Sequence, residues 1–136
     1  MNCFITVAFT SCSYDHRQIT KESIIKFEDV KTAYGVSNMS RFVSTGQFTC
    51  QIPGLYQIMA IVKSHTNGAT FNIDRNNLSI ISGFVAEHNV RDRSTNYDHT
   101  GIAVVVVMLN AGDTVSVRAG MDLYLHSETC LSIFRV

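Results

Sequence analysis

The sequence predicts an all-β sandwich, and three observations carry that prediction. Short apolar segments with period-two alternation recur along the chain, separated by clusters of Gly, Asn, Asp and Ser. No window repeats apolar residues at the i, i+3, i+4 spacing of an amphipathic helix. Residues 102 to 109, Ile-Ala-Val-Val-Val-Val-Met-Leu, are apolar at every position. That run is too short to cross a membrane and too rich in β-branched residues to prefer a helix.

The elements follow in chain order. Cys3, Ile5, Val7 and Phe9 fall on one face of a first strand, and the polar run Ser11 to Glu22 is a loop with Tyr14, Asp15, His16 and Arg17 at its centre. Ile24, Ile25 and Phe27 form a short second strand. Asp29 to Ser40 is irregular, with a turn at Gly35, and Arg41 to Cys50 is a strand with a break at Thr45-Gly46. Within it Phe48 and Cys50 alternate with Gln47, Thr49 and Gln51. Pro53-Gly54 makes a tight turn, because proline presets one dihedral and glycine takes the positive φ of a type II turn. Leu55 to Ser64 is a long strand, and His65 to Gly68 is a turn of the Asn-Gly kind. Ala69 to Asp74 and Leu78 to Val85 form a hairpin around Arg75-Asn76-Asn77, where Asn tolerates the left-handed region. Ala86 to Thr100 is the longest polar segment, and the apolar strand comes next. After the turn Asn110 to Asp113, strand resumes at Thr114. Ala119 to Glu128 is a loop interrupted by Leu123-Tyr124-Leu125, and Thr129 to Val136 closes the domain. About ten strands in one domain spanning 1–136 fit a sandwich.

Composition excludes several functions. Eleven basic and eleven acidic residues cancel, so no net field attracts nucleic acid or an anionic membrane surface. Charged residues make up only 16%, which suits an oligomer that hides part of its surface. The four cysteines, Cys3, Cys12, Cys50 and Cys130, are too scattered for a zinc site and allow three complete pairings. Asn38-Met39-Ser40 and Asn77-Leu78-Ser79 are glycosylation sequons. Together these point to an oxidising, secreted setting. No secretory leader is visible, so Met1 reads as a start residue or the remnant of a trimmed precursor.

In a two-layer sandwich each sheet covers one face of the other. A strand apolar on both faces needs a second cover, either the chain's own loops or another subunit. With no helix to spare, self-association through a sheet face is the expectation.

The order of these features resembles the complement C1q globular-head family, the C1q/TNF-like jelly roll, over nearly the whole chain. Val7-Ala8-Phe9-Thr10 is similar to its opening strand, and Ile25-Lys26-Phe27 with Val30 and Tyr34-Gly35 to its early segment. Gly46-Gln47-Phe48-Thr49-Cys50 running into Pro53-Gly54-Leu55-Tyr56 is the most specific match. Asp98-His99-Thr100-Gly101 and Gly112-Asp113-Val115 sit in family order. Departures are Gln57 in place of an aromatic, Met121-Asp122-Leu123-Tyr124 in place of Gly-Leu-Tyr, and Leu131-Ser132-Ile133-Phe134 in place of Phe-Ser-Gly-Phe. No collagen-like stem precedes the head, so a free-standing head is expected. The resemblance implies a ten-stranded jelly-roll sandwich assembling as a homotrimer, with Val104, Val106 and Met108 at the subunit interface. It implies antiparallel first and last strands, and hence a Cys12–Cys130 disulfide. Cys3 and Cys50 are left over, with Cys50 read as a small buried hydrophobe.

No enzyme is legible: no nucleophile elbow, no phosphate loop, and Glu87-His88 is not on a helix. What remains is binding by loops on a rigid scaffold. In the resembled fold Ser11 to Glu22, Lys63 to Gly68, Ala86 to Thr100 and Ala119 to Glu128 gather at the end away from both termini. Arg91, Arg93, Tyr97, Asp98 and His99 crowd one segment, and Tyr124 and His126 another. Guanidinium forks for a carboxylate and flat tyrosine faces for a sugar ring suit an acidic glycan such as a sialylated one. Asp98 matches a family position where some members bind calcium near the threefold axis, with Asp92 as the nearest second acid. The expected protein is therefore a secreted trimeric lectin-like recognition protein of innate immunity, for acidic or microbial glycans. Alternatives are a cytokine-like ligand of a protein receptor, or a structural extracellular-matrix trimer.

Overall fold

The computed structural model describes residues 6–86 and 98–136. Among them lie, in order, β1 (Ala8–Cys12), β2 (Arg17–Ile19), β3 (Asp29–Tyr34), α1 (Met39–Thr45), β4 (Phe48–Thr49), β5 (Gly54–Ser64), β6 (Thr70–Arg75), β7 (Leu78–Phe84), β8 (His99–Leu109), β9 (Thr114–Ala119), β10 (Leu123–Leu125) and β11 (Cys130–Arg135). They form two antiparallel sheets. One runs β2-β10-β5-β11-β1-β3 with β8 also paired to β5, and the other β4-β9-β6-β7. The jelly-roll sandwich expected from the sequence is the fold found, with eleven strands among the described residues rather than about ten.

The core follows from alternation. On β5, Tyr56, Ile58, Ala60 and Val62 are completely buried, while Leu55, Gln57, Met59, Ile61 and Lys63 face outward. Phe71 and Ile73 of β6, Val115 and Val117 of β9, and Leu131 and Ile133 of β11 complete the buried layer. The Tyr56 hydroxyl donates to the Ile52 carbonyl (2.6 Å), as does the Cys50 thiol (3.2 Å). Cys50 is buried and free, as the sequence suggests, and Cys3 lies outside the described residues. Burial pushes the Tyr56 phenol up to about 12, with the Cys50 hydrogen bond adding to the shift.

The apolar strand β8 has one face in the core and one open. Ala103 and Leu109 are buried, whereas Ile102, Val104, Val106 and Met108 are 58%, 43%, 52% and 58% exposed. Among the described residues, no loop covers that face. Register places Met108 beside Leu55, Val104 beside Met59 and Ile102 beside Ile61, so the open strip continues across β5 to the half-exposed Phe134 of β11.

The Asn76-Asn77 hairpin turn has both φ angles positive (52° and 65°), as a two-residue hairpin loop requires. The Cys12–Cys130 disulfide is present, joining residues that are direct partners in the β1–β11 ladder.

Several local expectations are corrected. Arg41 to Cys50 is not one strand: α1 occupies its first half and β4 only two residues. The helix has two turns and one buried residue, Phe42, so it leaves no helical periodicity to detect. Phe42 holds it down, with its ring 4.8 Å from Phe9 and 6.4 Å from Phe27, and Gly46 ends it in the left-handed conformation (φ 76°). Asp29 to Tyr34 is the strand β3, not irregular. Its side chains are mostly exposed, so no alternation marks it, and it is held by backbone pairing to β1. Ile24 to Phe27 forms an isolated bridge at Ile24↔Arg118 rather than a strand, although Ile25 and Phe27 are fully buried. The loop Ser11 to Glu22 contains β2, paired with β10. Gly54 does not turn in the left-handed region. It opens β5 at φ 159°, close to extended, beside the Arg135 guanidinium, whose Nε donates to the Pro53 carbonyl (3.1 Å).

Two outcomes follow. The disulfide closes a loop of sequence separation 118, so replacing Cys12 and Cys130 by serine should lower stability by about 2–5 kcal/mol in urea denaturation. The Tyr56 phenol is raised in the fold, so its contribution is complete below the ordinary value of 10.0 and is lost as pH rises through about 12. Ultraviolet titration should show one late-ionising tyrosine, absent in Tyr56→Phe.

Candidate functional site

β5 and β8 pair along their whole lengths, from Gly54↔Leu109 at one end to Ser64↔His99 at the other. The first end holds the C-terminal residues and Val7: Val136 N–H donates to Leu55 (2.7 Å) and Arg135 N–H to Val7 (2.8 Å). The second end carries the candidate site. Five described side chains meet there: His16, His65, Asp98, Tyr124 of β10 and His126 just after it.

The ring contacts define the cluster. His65 stacks on Tyr124 with centroids 4.6 Å apart, His16 lies 4.1 Å from His126, and His16 meets Tyr124 edge-on at 6.2 Å. The Asp98 carboxylate sits between two of the imidazoles, Oδ1 3.7 Å from His65 Nδ1 and Oδ2 3.6 Å from His126 Nε2. The backbone beneath is tied down. Tyr124 N–H donates to Thr66 Oγ1 (2.8 Å), Ser64 Oγ to the Tyr124 carbonyl (2.5 Å), and His126 N–H to the Lys63 carbonyl (2.9 Å). Glu128 N–H donates to His126 Nδ1 (3.2 Å). A nitrogen that accepts carries no proton, so the neutral ring holds its proton on Nε2, facing Asp98. Beside the cluster, Lys63 Nζ pairs with Glu128 at 2.7 Å. That hydrogen bond, with the charges of Lys63, His126 and His16 behind it, holds the Glu128 carboxyl below its ordinary value.

Of the residues singled out in the sequence, Asp98, Tyr124 and His126 come together. His99 opens β8 opposite Ser64. Arg91, Arg93 and Tyr97, with Asp92, lie outside the described residues. His16 and His65 were not singled out, yet they complete the cluster. A signal for them existed: all five histidines of the chain fall within the four loop segments expected to converge. For calcium, the groups described around Asp98 supply imidazole nitrogen, whereas calcium prefers six to eight oxygens. Among the described residues no group of three or more His, Cys, Asp or Glu is set to hold a metal ion. The sequon residues Asn38 and Asn77 are both exposed. They lie at the far end: Ser37 bonds Gln51 (2.6 Å), and Asn76, beside Asn77, bonds Asp113 (3.1 Å).

A jelly-roll sandwich presenting clustered loops at one end is a scaffold for binding. A family model for the C1q domain matches residues 8–134, and the chain belongs to the C1q domain family. Among solved structures, it is similar to the globular domain of zebrafish complement 1qA protein, with 20% identity, 94% of this chain and 93% of that one covered, and a TM-score of 0.68. It is also similar to Eiger TNF from S. frugiperda (11% identity, 99% and 94% covered, TM-score 0.74) and to murine APRIL (10%, 96% and 99%, TM-score 0.71). Comparison with curated protein sequences finds no significant match. No helix among the described residues is long and apolar enough to cross a membrane.

The Glu128 value is depressed in the fold, so its contribution is complete above the ordinary carboxylate value of 4.5 and disappears as pH falls through the lowered one. Carbon-detected NMR titration should find Glu128 ionising below 4.5 in the native chain and moving back towards it in Lys63→Ala.

Proposed function

We propose that the chain is a secreted, self-associating recognition domain that binds glycans through its loop end, without catalysis. The observation that carries this reading is the convergence of Tyr124 with His16, His65, His126 and Asp98 on one exposed end. A tyrosine face beside imidazoles offers an apolar platform for a sugar ring, with donors and a carboxylate acceptor around it. The guanidinium groups of Arg91 and Arg93 favour an acidic glycan, such as a sialylated or microbial one, by charge complementarity. Both sequons lie away from this end, so attached sugars would leave it clear.

Self-association as a homotrimer is supported by the open apolar strip of Val104, Val106 and Met108 with Leu55 and Phe134. A contiguous apolar surface of this kind marks an interaction face. Three copies would turn weak single sites into useful avidity for a repetitive surface, as expected of an innate-immune pattern-recognition protein. Calcium at Asp98 is a further element of the reading, and it needs oxygen ligands from neighbouring copies. The runner-up, a ligand of a protein receptor, draws on the fold likeness to Eiger TNF and would place binding in grooves between subunits.

A glycan array read with calcium and with chelator tests the reading. Sialylated or microbial glycans should bind, and Tyr124→Ala or the double change Arg91→Ala/Arg93→Ala should weaken binding at least about tenfold, equivalent to about 1.4 kcal/mol. Absence of any glycan binding in either arm sinks the lectin reading, and dependence on calcium supports the Asp98 ion. By sedimentation, the native chain should be trimeric and Val106→Glu monomeric. A folded native monomer at micromolar concentration would remove the assembly.

A further inference from the structure

The outer face of the four-stranded sheet carries a groove where β6 and β7 meet the loop end. It is lined by Glu22, Thr70, Asn72, Ser82, Phe84 and Gly120. Register explains the set: Thr70 pairs with Phe84 and Asn72 with Ser82, so these four side chains share the solvent side of β6 and β7. Phe84 is 68% exposed, a large aromatic ring open to solvent among polar neighbours.

The polar groups around the ring are oriented. Ser82 and Ser79 hydroxyls both donate to Asn72 Oδ1 (2.7 and 3.2 Å), which leaves the Asn72 amide nitrogen free to donate into the groove. Gly120 donates its N–H to the Thr70 carbonyl (2.8 Å), and a Cβ there would strike the Thr70 hydroxyl, so glycine keeps that hydroxyl open. Glu22 sits at φ 72°, a left-handed conformation that residues with side chains rarely adopt and that recurs at ligand sites. Its N–H is held by the Ala119 carbonyl (2.8 Å) and its Oε2 by Arg118. Arg118 in turn is bonded to Asp74 through Nε (2.8 Å) and Nη2 (3.3 Å). Among the described residues Glu22 Oε1 has no donor, and Arg118 is already matched by two carboxylates.

A bound anion would meet Glu22 with Arg118 already engaged by two carboxylates, and a purely apolar group would strand the amide and hydroxyls. A neutral sugar ring fits both demands, with a C–H face for the phenyl ring and hydroxyls for Asn72, Thr70, Ser82 and Glu22. We propose that this groove is a second carbohydrate subsite, taking a neutral pyranose stacked on Phe84. The inference deepens the glycan-recognition reading and rests on it for the class of ligand.

The test is an NMR titration of the isotope-labelled full chain with methyl α-mannoside, methyl β-galactoside and methyl β-glucoside, and separately with sialyllactose. At least one methyl glycoside should shift the amides of Asn72, Gly83, Phe84 and Gly120 while leaving His65, Tyr124 and His126 unmoved. Phe84→Ala should weaken that binding at least about tenfold and leave any sialyllactose response intact, whereas Phe84→Tyr should retain it. The ring is exposed, so neither change should unfold the chain. Groove shifts with no sialyllactose response keep this inference and sink the acidic-glycan reading of the loop end. Shifts confined to the loop end, or none with any glycoside at tens of millimolar, overturn the groove. An altered sedimentation coefficient for Phe84→Ala also overturns it, by assigning the ring to a contact between copies.

Discussion

Every residue of β5 from Gly54 to Ser64 pairs with one of β8, and on its other edge β5 carries β11 and then β10. Much of the molecule is subordinate to that double pairing. A strand held on both edges cannot slip register without turning Tyr56, Ile58, Ala60 and Val62 out to solvent and Gln57 and Lys63 into the core. The same alternation that buries one set exposes Leu55, Met59 and Ile61 beside the open residues of β8. The core and the apolar outer strip are therefore two faces of one decision about register.

The length of β5 also separates the two ends of the domain. Eleven residues at strand rise span about 35 Å, so the end holding Val136 and the end holding the histidine cluster are far apart. Ser64 is buried under the cluster and its hydroxyl reaches the Tyr124 carbonyl, so the strand that organises the core also fixes the floor of the candidate site. The Cys12–Cys130 bridge ties β1 to β11 at that same end, a few residues from His16 and His126. Loops anchored in this way can hold rings in contact.

The cluster and the lateral groove differ in chemistry. At the loop end Asp98 faces imidazoles, and Lys63 stands close by with Glu128. On the four-stranded sheet Arg118 is neutralised by Asp74 and Glu22, leaving amide, hydroxyl and phenyl groups open.

Local chemistry was enough to read much of this fold. Alternation, the Asn76-Asn77 turn, the β-branched run of β8 and the paucity of charge together specify a sandwich with one greasy outer face, because each depends on residues near in sequence. The seven-residue helix α1 and the exposed strand β3 escaped notice because they are stabilised from outside: Phe42 by Phe9 and Phe27, and β3 by the backbone of β1. Asp98, Tyr124 and His126 could be named as polar loop residues, but not their contact with His16 and His65. Those rings come from connections up to 110 residues apart, and only the folded sheets bring them within reach. Likewise Phe84 and Glu22 look ordinary in the sequence, and become neighbours because β6, β7 and β9 pair in one register.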